Sequence, residues 1–113
     1  MHELTFAQSI ADLVADRARH EHIARVSRVV VEIGVAAPID LDSLRFCFPI
    51  MANGTGAAGA QLIINSIALR AMCEACQTEY APENLAAPCP VCGGFARTIL
   101  AGREMRVVSF DGE

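Results

Sequence analysis

Apolar residues first recur at helical spacing near the start of the chain. Phe6, Ile10, Leu13 and Val14 fall on one face, and Asp12, Asp16, Arg17 and Arg19 on the other. The spacing predicts a helix over residues 5–19, opened by Thr5-Phe-Ala-Gln8 as a capping box. His20 and His22 follow it and read as solvent-facing residues. Residues 25–33 change to a β-branched run that stops at Gly34, which predicts a strand. Leu41, Leu44, Phe48 and Met51 return to helical spacing. Asp40 is placed as the N-cap of this second helix, Asp42 sits in its first turn, and Asn53-Gly54 ends it. Pro49 lies inside the pattern and should kink the helix or end it early. Cys47 shares the apolar face and reads as a small buried hydrophobe. Residues 55–59 read as a flexible glycine-rich link. Leu62 and Ile64 alternate with Gln61 and Asn65, predicting a second strand over 60–67. Residues 104–110 predict a third strand. Met105 and Val107 on one side, with Val108 and Phe110 on the other, imply burial on both faces.

Between the second and third strands lie Cys73-Glu-Ala-Cys76 and Cys89-Pro-Val-Cys92-Gly93-Gly94. A C-x-x-C turn aims both sulfurs at one point, and two such turns form a tetrahedral sulfur cage. That is the ligand set of a closed structural zinc site, with metal–sulfur bonds of about 2.3 Å. Gly93 and Gly94 allow backbone N–H groups to turn toward the sulfurs. Two disulfides are a rival use, suited to an oxidising compartment. Iron is another, since four sulfurs in a tetrahedron suit both metals; a red protein would decide for iron. The expected fold is therefore α/β, two helices on a three-stranded sheet with an inserted four-cysteine zinc-ribbon unit. Residues 1–68 and 97–113 form the platform and 69–96 the metal-binding domain, with chain crossings near Leu69 and Ile99.

Composition narrows the functions. The chain has 113 residues, over half of them apolar (53%), enough for one small core. It shows no apolar run long enough for a transmembrane helix and no secretory signal, so a reducing cytoplasm is expected and no membrane partner. A net charge of −4 argues against nucleic acid. There is no lysine, which removes a Walker A lysine, a Schiff-base lysine and a lysine base together. Four cysteines fill a tetrahedral shell and leave no open position for a substrate water, so an enzyme is not expected.

The chain begins Met1-His2-Glu3. A free α-amine, the amide nitrogens of His2 and Glu3 and the His2 imidazole can turn toward one ion. Four nitrogens in a plane suit Ni(II) or Cu(II). Histidine is a bulky second residue, so the initiator methionine should stay. Binding would release protons and weaken as pH falls.

Taken together, Met1-His2-Glu3, the strand Val29–Gly34, the helix residues Leu44-Arg-Phe46, the two C-x-x-C turns and the ending Gly102–Ser109 resemble the HypA/HybF family, in order along nearly the whole chain. The resemblance implies a nickel metallochaperone for [NiFe]-hydrogenase maturation. It would deliver Ni²⁺ to the hydrogenase large-subunit precursor, working with a HypB-like GTPase, and some relatives serve urease. The implied nickel ligands are Met1, His2 and Glu3, with Asp40 as an assisting position; the implied zinc ligands are Cys73, Cys76, Cys89 and Cys92. Some relatives carry histidines beside the cysteine turns, where this chain has Gln77 and Gly93, so a histidine-for-cysteine exchange at zinc is not expected. A zinc-ribbon module that binds protein or nucleic acid, without a nickel role, is the alternative function, and both a monomer and a homodimer stay open.

Overall fold

The computed structural model describes residues 3–113, so the readings of Met1 and His2 lie outside the described residues. Elements follow in the order α1 (Glu3–His20), β1 (Val26–Gly34), α2 (Leu41–Ala52), β2 (Gln61–Ile67), β3 (Arg70–Cys73), β4 (Glu79–Tyr80), β5 (Arg97–Ala101) and β6 (Met105–Gly112). The strands form two sheets, ordered β2-β1-β6 and β4-β3-β5. The expected two helices and three-stranded sheet are present. The second sheet is a finding that the residue pattern did not announce, because its strands are too short to show alternation. The chain divides into two compact units. One is built from the chain up to Val31, Pro38–Ile64 and Val107–Glu113; the other from Glu32–Ala37 and Asn65–Arg106.

In the first unit, α1 packs against α2. Its buried residues are Phe6, Ala7, Ile10, Ala11, Val14 and Ala18. Three alanines in that stripe turn it away from Leu13, which is 46% exposed instead of buried as expected. Small residues let two helices approach closely, so the alanines decide the packing face. The predicted capping box does not form, because Thr5 and Gln8 already lie inside α1. The far end of α1 closes as a Schellman motif: Ile23 N–H bonds the Ala18 carbonyl at 2.8 Å and His22 N–H the Arg19 carbonyl at 3.2 Å. His22 takes the left-handed position there, at φ 59°.

Helix α2 keeps Leu44, Phe48 and Ala52 buried at four-residue intervals. It runs on to Ala52 instead of ending early at Pro49. Burial of that stripe outweighs the hydrogen bond that proline denies to the Arg45 carbonyl. Asn53 does terminate the helix, its N–H bonding the Pro49 carbonyl at 3.2 Å. Cys47 is half-buried, not fully enclosed. The link after α2 is held, contrary to the flexible reading. Thr55 Oγ1 donates to the Ala52 carbonyl at 2.7 Å and accepts from Ala57 N–H at 3.0 Å, and Ala57 is fully buried.

Strand β1 alternates: Val29, Val31 and Ile33 are buried, and Arg28, Val30 and Glu32 are not. β6 runs antiparallel to it, with Arg25 and Glu113 exchanging backbone bonds at one end and Gly34 N–H donating to the Glu104 carbonyl at the other. The sheet therefore buries one face. Val108, on the other, is 52% exposed, so β6 is not buried on both sides. A Cβ on Gly34 would lie 2.0 Å from the Gly102 backbone, which makes glycine obligatory at this close approach.

Candidate metal centre

Strands β3 and β5 pair antiparallel, Met72 opposite Thr98 and Cys73 opposite Arg97, and β4 pairs on the other side of β3, Ala71 opposite Tyr80. This small sheet carries Cys73 on the end of β3. The chain then folds into two turns of the same design. In the first, Gln77 N–H bonds the Cys73 carbonyl at 2.9 Å; in the second, Gly93 N–H bonds the Cys89 carbonyl at 2.9 Å. Gln77 and Gly93, each following its second cysteine, both take positive φ, 63° and 74°. Residues two past the second cysteine then face its sulfur: Gly94 N–H points at Cys92 Sγ (3.4 Å) and the Thr78 hydroxyl lies 3.2 Å from Cys76 Sγ. Of the two glycines, Gly94 turns its N–H toward a sulfur as expected, whereas Gly93 supplies the positive φ and its own N–H goes to the Cys89 carbonyl. Gln77 and Thr78 play the same part with no glycine to signal it.

The two turns bring the four sulfurs together. Cys73, Cys76, Cys89 and Cys92 all place Sγ within 4.8 Å of one another, with Cys73–Cys92 at 3.5 Å and Cys76–Cys89 at 3.7 Å. A tetrahedron with metal–sulfur bonds of about 2.3 Å has edges of about 3.8 Å. The cage therefore has the size of a zinc-like ion, and all of its cysteines are free thiols, not disulfides. Cys73 and Cys89 are buried with Ala71 and Tyr80, whereas Cys76 is half-buried and Cys92 exposed. The Tyr80 hydroxyl is buried in this cluster with no hydrogen-bond partner among the described residues.

The sulfurs differ electrostatically. The Thr78 hydroxyl and then its backbone N–H pull the Cys76 thiol down from 9.0 to about 6. Gly94 N–H acts the same way on Cys92, but the neighbouring Cys73 thiol and partial desolvation outweigh it and push Cys92 up to about 11. Cys76 thus becomes a thiolate well ahead of Cys92, and a soft thiolate is what a tetrahedral metal takes as ligand.

The remaining predicted residues lie elsewhere. Asp40 is the N-cap of α2, as expected, with Oδ1 accepting from Ser43 N–H at 2.9 Å. Glu3 is the first described residue of α1, and its Oε2 accepts the Asp40 backbone N–H at 3.0 Å. In a capping box that N–H is satisfied from within its own helix; here another helix supplies the carboxylate. His20 and His22 are exposed, as read from the sequence.

The family model described as "Hydrogenase/urease nickel incorporation, metallochaperone, hypA" matches residues 1–112. This chain belongs to the HypA family. HypA-family relatives are close along their whole length. The chain is 39% identical over 110 residues to the "Hydrogenase maturation factor HypA" of Chlorobaculum tepidum, covering 97% of each chain. It is 38% identical over 113 residues to the "Hydrogenase maturation factor HybF" of Klebsiella pneumoniae, covering all of both. The "Solution structure of the Ni metallochaperone HypA from Helicobacter pylori" superposes with a TM-score of 0.72 at 24% identity, covering 99% of this chain and 97% of that one, a likeness of fold. HypA is a family of maturation factors for nickel incorporation, not of catalysts. The described residues contain no helix long and apolar enough to cross a membrane.

Proposed function

We propose that this chain binds Ni²⁺ at its first residues and delivers it to the large-subunit precursor of a [NiFe]-hydrogenase, with a HypB-like GTPase as partner, in the cytoplasm. The Met1 amine, the His2 imidazole and the amide nitrogens of His2 and Glu3 hold the ion, with Asp40 assisting. The observation that carries this reading is the Glu3–Asp40 hydrogen bond, which ties the start of α1 to the N-cap of α2. It brings the two acidic candidates together beside the chain's beginning. The Glu3 amide opens a helix, where an N–H has no intrahelical acceptor, so metal ligation there breaks no helical bond. Amide and imidazole nitrogens bind only after losing protons, so affinity falls with pH.

The four-cysteine cage takes the other role. Cys73, Cys76, Cys89 and Cys92 would hold Zn²⁺, which supplies cross-linking of the two turns and no chemistry on a substrate. A closed shell exchanges slowly and suits scaffolding, whereas a terminal site can be loaded and emptied without unfolding the chain. Residues 69–96 are the zinc-binding domain in this reading, and 1–68 with 97–113 the nickel platform.

Calorimetric titration with Ni²⁺ tests it. His2→Ala, or one residue added before Met1, should abolish binding in the micromolar range while the zinc content stays at one ion per chain. Unchanged titrations in both variants would refute the terminal site.

A further inference from the structure

We propose that Asn53 is a site of spontaneous covalent modification. The Gly54 backbone nitrogen closes on the Asn53 side chain, which loses ammonia and ends as an aspartyl or isoaspartyl residue. This goes beyond nickel handling and does not depend on it.

Asn53 and Gly54 follow the last residue of α2, and both are exposed. The peptide planes on either side of the one that joins them are tied down. Asn53 N–H bonds the Pro49 carbonyl at 3.2 Å, and Thr55 N–H bonds the Ala52 carbonyl at 3.0 Å. The Gly54 N–H between them has no hydrogen bond among the described residues, and neither does the Asn53 side-chain amide. That plane can therefore turn alone. Turning it changes ψ of Asn53, which stands at 132°, together with φ of Gly54, which stands at +81°. Glycine accepts both ends of such a swing without steric cost, and a Cβ at position 54 would meet no atom within 4 Å. The swing brings the Gly54 nitrogen round to the Asn53 Cγ, within the roughly 3–3.5 Å that an intramolecular attack requires.

The atoms balance with water as the only co-reactant. The Gly54 nitrogen forms a bond to Cγ, the Cγ–Nδ2 bond breaks, and ammonia leaves with the Gly54 amide proton. The cyclic imide then takes up one water. Cleavage of its N–Cγ bond leaves aspartate; cleavage of the bond to the main-chain carbonyl reroutes the backbone through the side chain as isoaspartate. Either product puts a negative charge at the carboxyl end of α2, where the helix dipole disfavours one. Gly54, Thr55 and Gly56 also line a cleft of about 790 Å³ with Asp12 and Asp16, which add like charge. The chain's other asparagines, Asn65 and Asn84, are protected. Asn65 lies inside β2 and precedes Ser66; Asn84 accepts the Ala86 N–H on Oδ1 at 2.8 Å and precedes Leu85. In both, the attacking nitrogen belongs to a residue with a side chain.

Incubation of the full, metal-loaded chain at mildly alkaline pH, followed by digestion and mass spectrometry, tests this. The peptide holding residue 53 should gain the mass difference between a hydroxyl and an amino group, and an isoaspartyl methyltransferase should label it. Its rate should exceed those at Asn65 and Asn84 about tenfold or more, and Gly54→Ala should cut it by as much. Asn53→Gln, which must close a larger ring, should stay unmodified over the same period. The modified chain, separated by ion exchange, should unfold at a lower temperature than its parent. Circular dichroism confirms that each variant is folded. An Asn53 that stays intact in the folded chain while the denatured chain loses it overturns the proposal, because the fold then holds the plane still. So does reaction at equal rates at all the asparagines, or a rate at Asn53 indifferent to Gly54→Ala.

Discussion

His22 shows how one residue can be conspicuous for its side chain and matter for its backbone. Its imidazole is exposed, and its work is to reverse the chain after α1 at φ 59°. A left-handed position favours glycine, so His22→Gly should raise stability by about 0.5–1 kcal/mol, read as a shifted urea midpoint. An unchanged or lower midpoint would mean that the ring has contacts worth more than the strain. Gln77 makes the same demand inside the metal site, where Gly93 meets it without cost. The sulfurs differ in a second way that only geometry produces. With Cys76 lowered to about 6 and Cys92 raised to about 11, Cys76 is mainly thiolate at pH 7 and Cys92 is not.

Among the elements, α2 carries the clearest conflict between local preference and packing. Proline inside a helix costs about 3 kcal/mol relative to alanine. Pro49 is exposed, and the helix passes through it because Leu44, Phe48 and Ala52 are enclosed along the neighbouring face. Pro49→Ala restores a donor to the Arg45 carbonyl and should stabilise the protein by about 1–3 kcal/mol. A thermal midpoint that does not rise would show that the Arg45 carbonyl has another partner. The same contrast runs through α1. Its apolar periodicity was legible, but the buried face was not, because alanine carries little weight in a pattern and much in close helix packing. Leu13 was misplaced for that reason. In β6, alternation told strand from helix but not how many faces were covered, since that depends on which layers the rest of the chain provides.

At the scale of the whole molecule, both long helices belong to one compact unit, and the sheet β4-β3-β5 with the four cysteines belongs to the other. Cys73→Ala, or a strong chelator, should unfold the cysteine turns and leave the helices standing. Far-UV circular dichroism should keep most of its helical signal while proteolysis opens the chain around residues 74–95. Loss of the whole helical signal would show that the first unit cannot fold without the second. The cysteine spacing alone proposed a four-sulfur cage, and the sulfurs do converge. Spacing works here because a C-x-x-C turn is a local structure: six consecutive residues, Cys73–Thr78 and again Cys89–Gly94, carry both the ligands and the bonds that aim them.

What the amino-acid order determined unaided was local: two helical periods, three long strands, an N-cap at Asp40 and two C-x-x-C turns. Each rests on contacts between residues a few positions apart, which chain geometry dictates. What tertiary structure decided was everything that needs a distant partner. The Glu3 carboxylate meets the Asp40 amide across 37 positions, Gly34 lies against Gly102, and the edge of β6 is left open. No window of sequence contains both members of such a pair, so only the folded chain can bring them together.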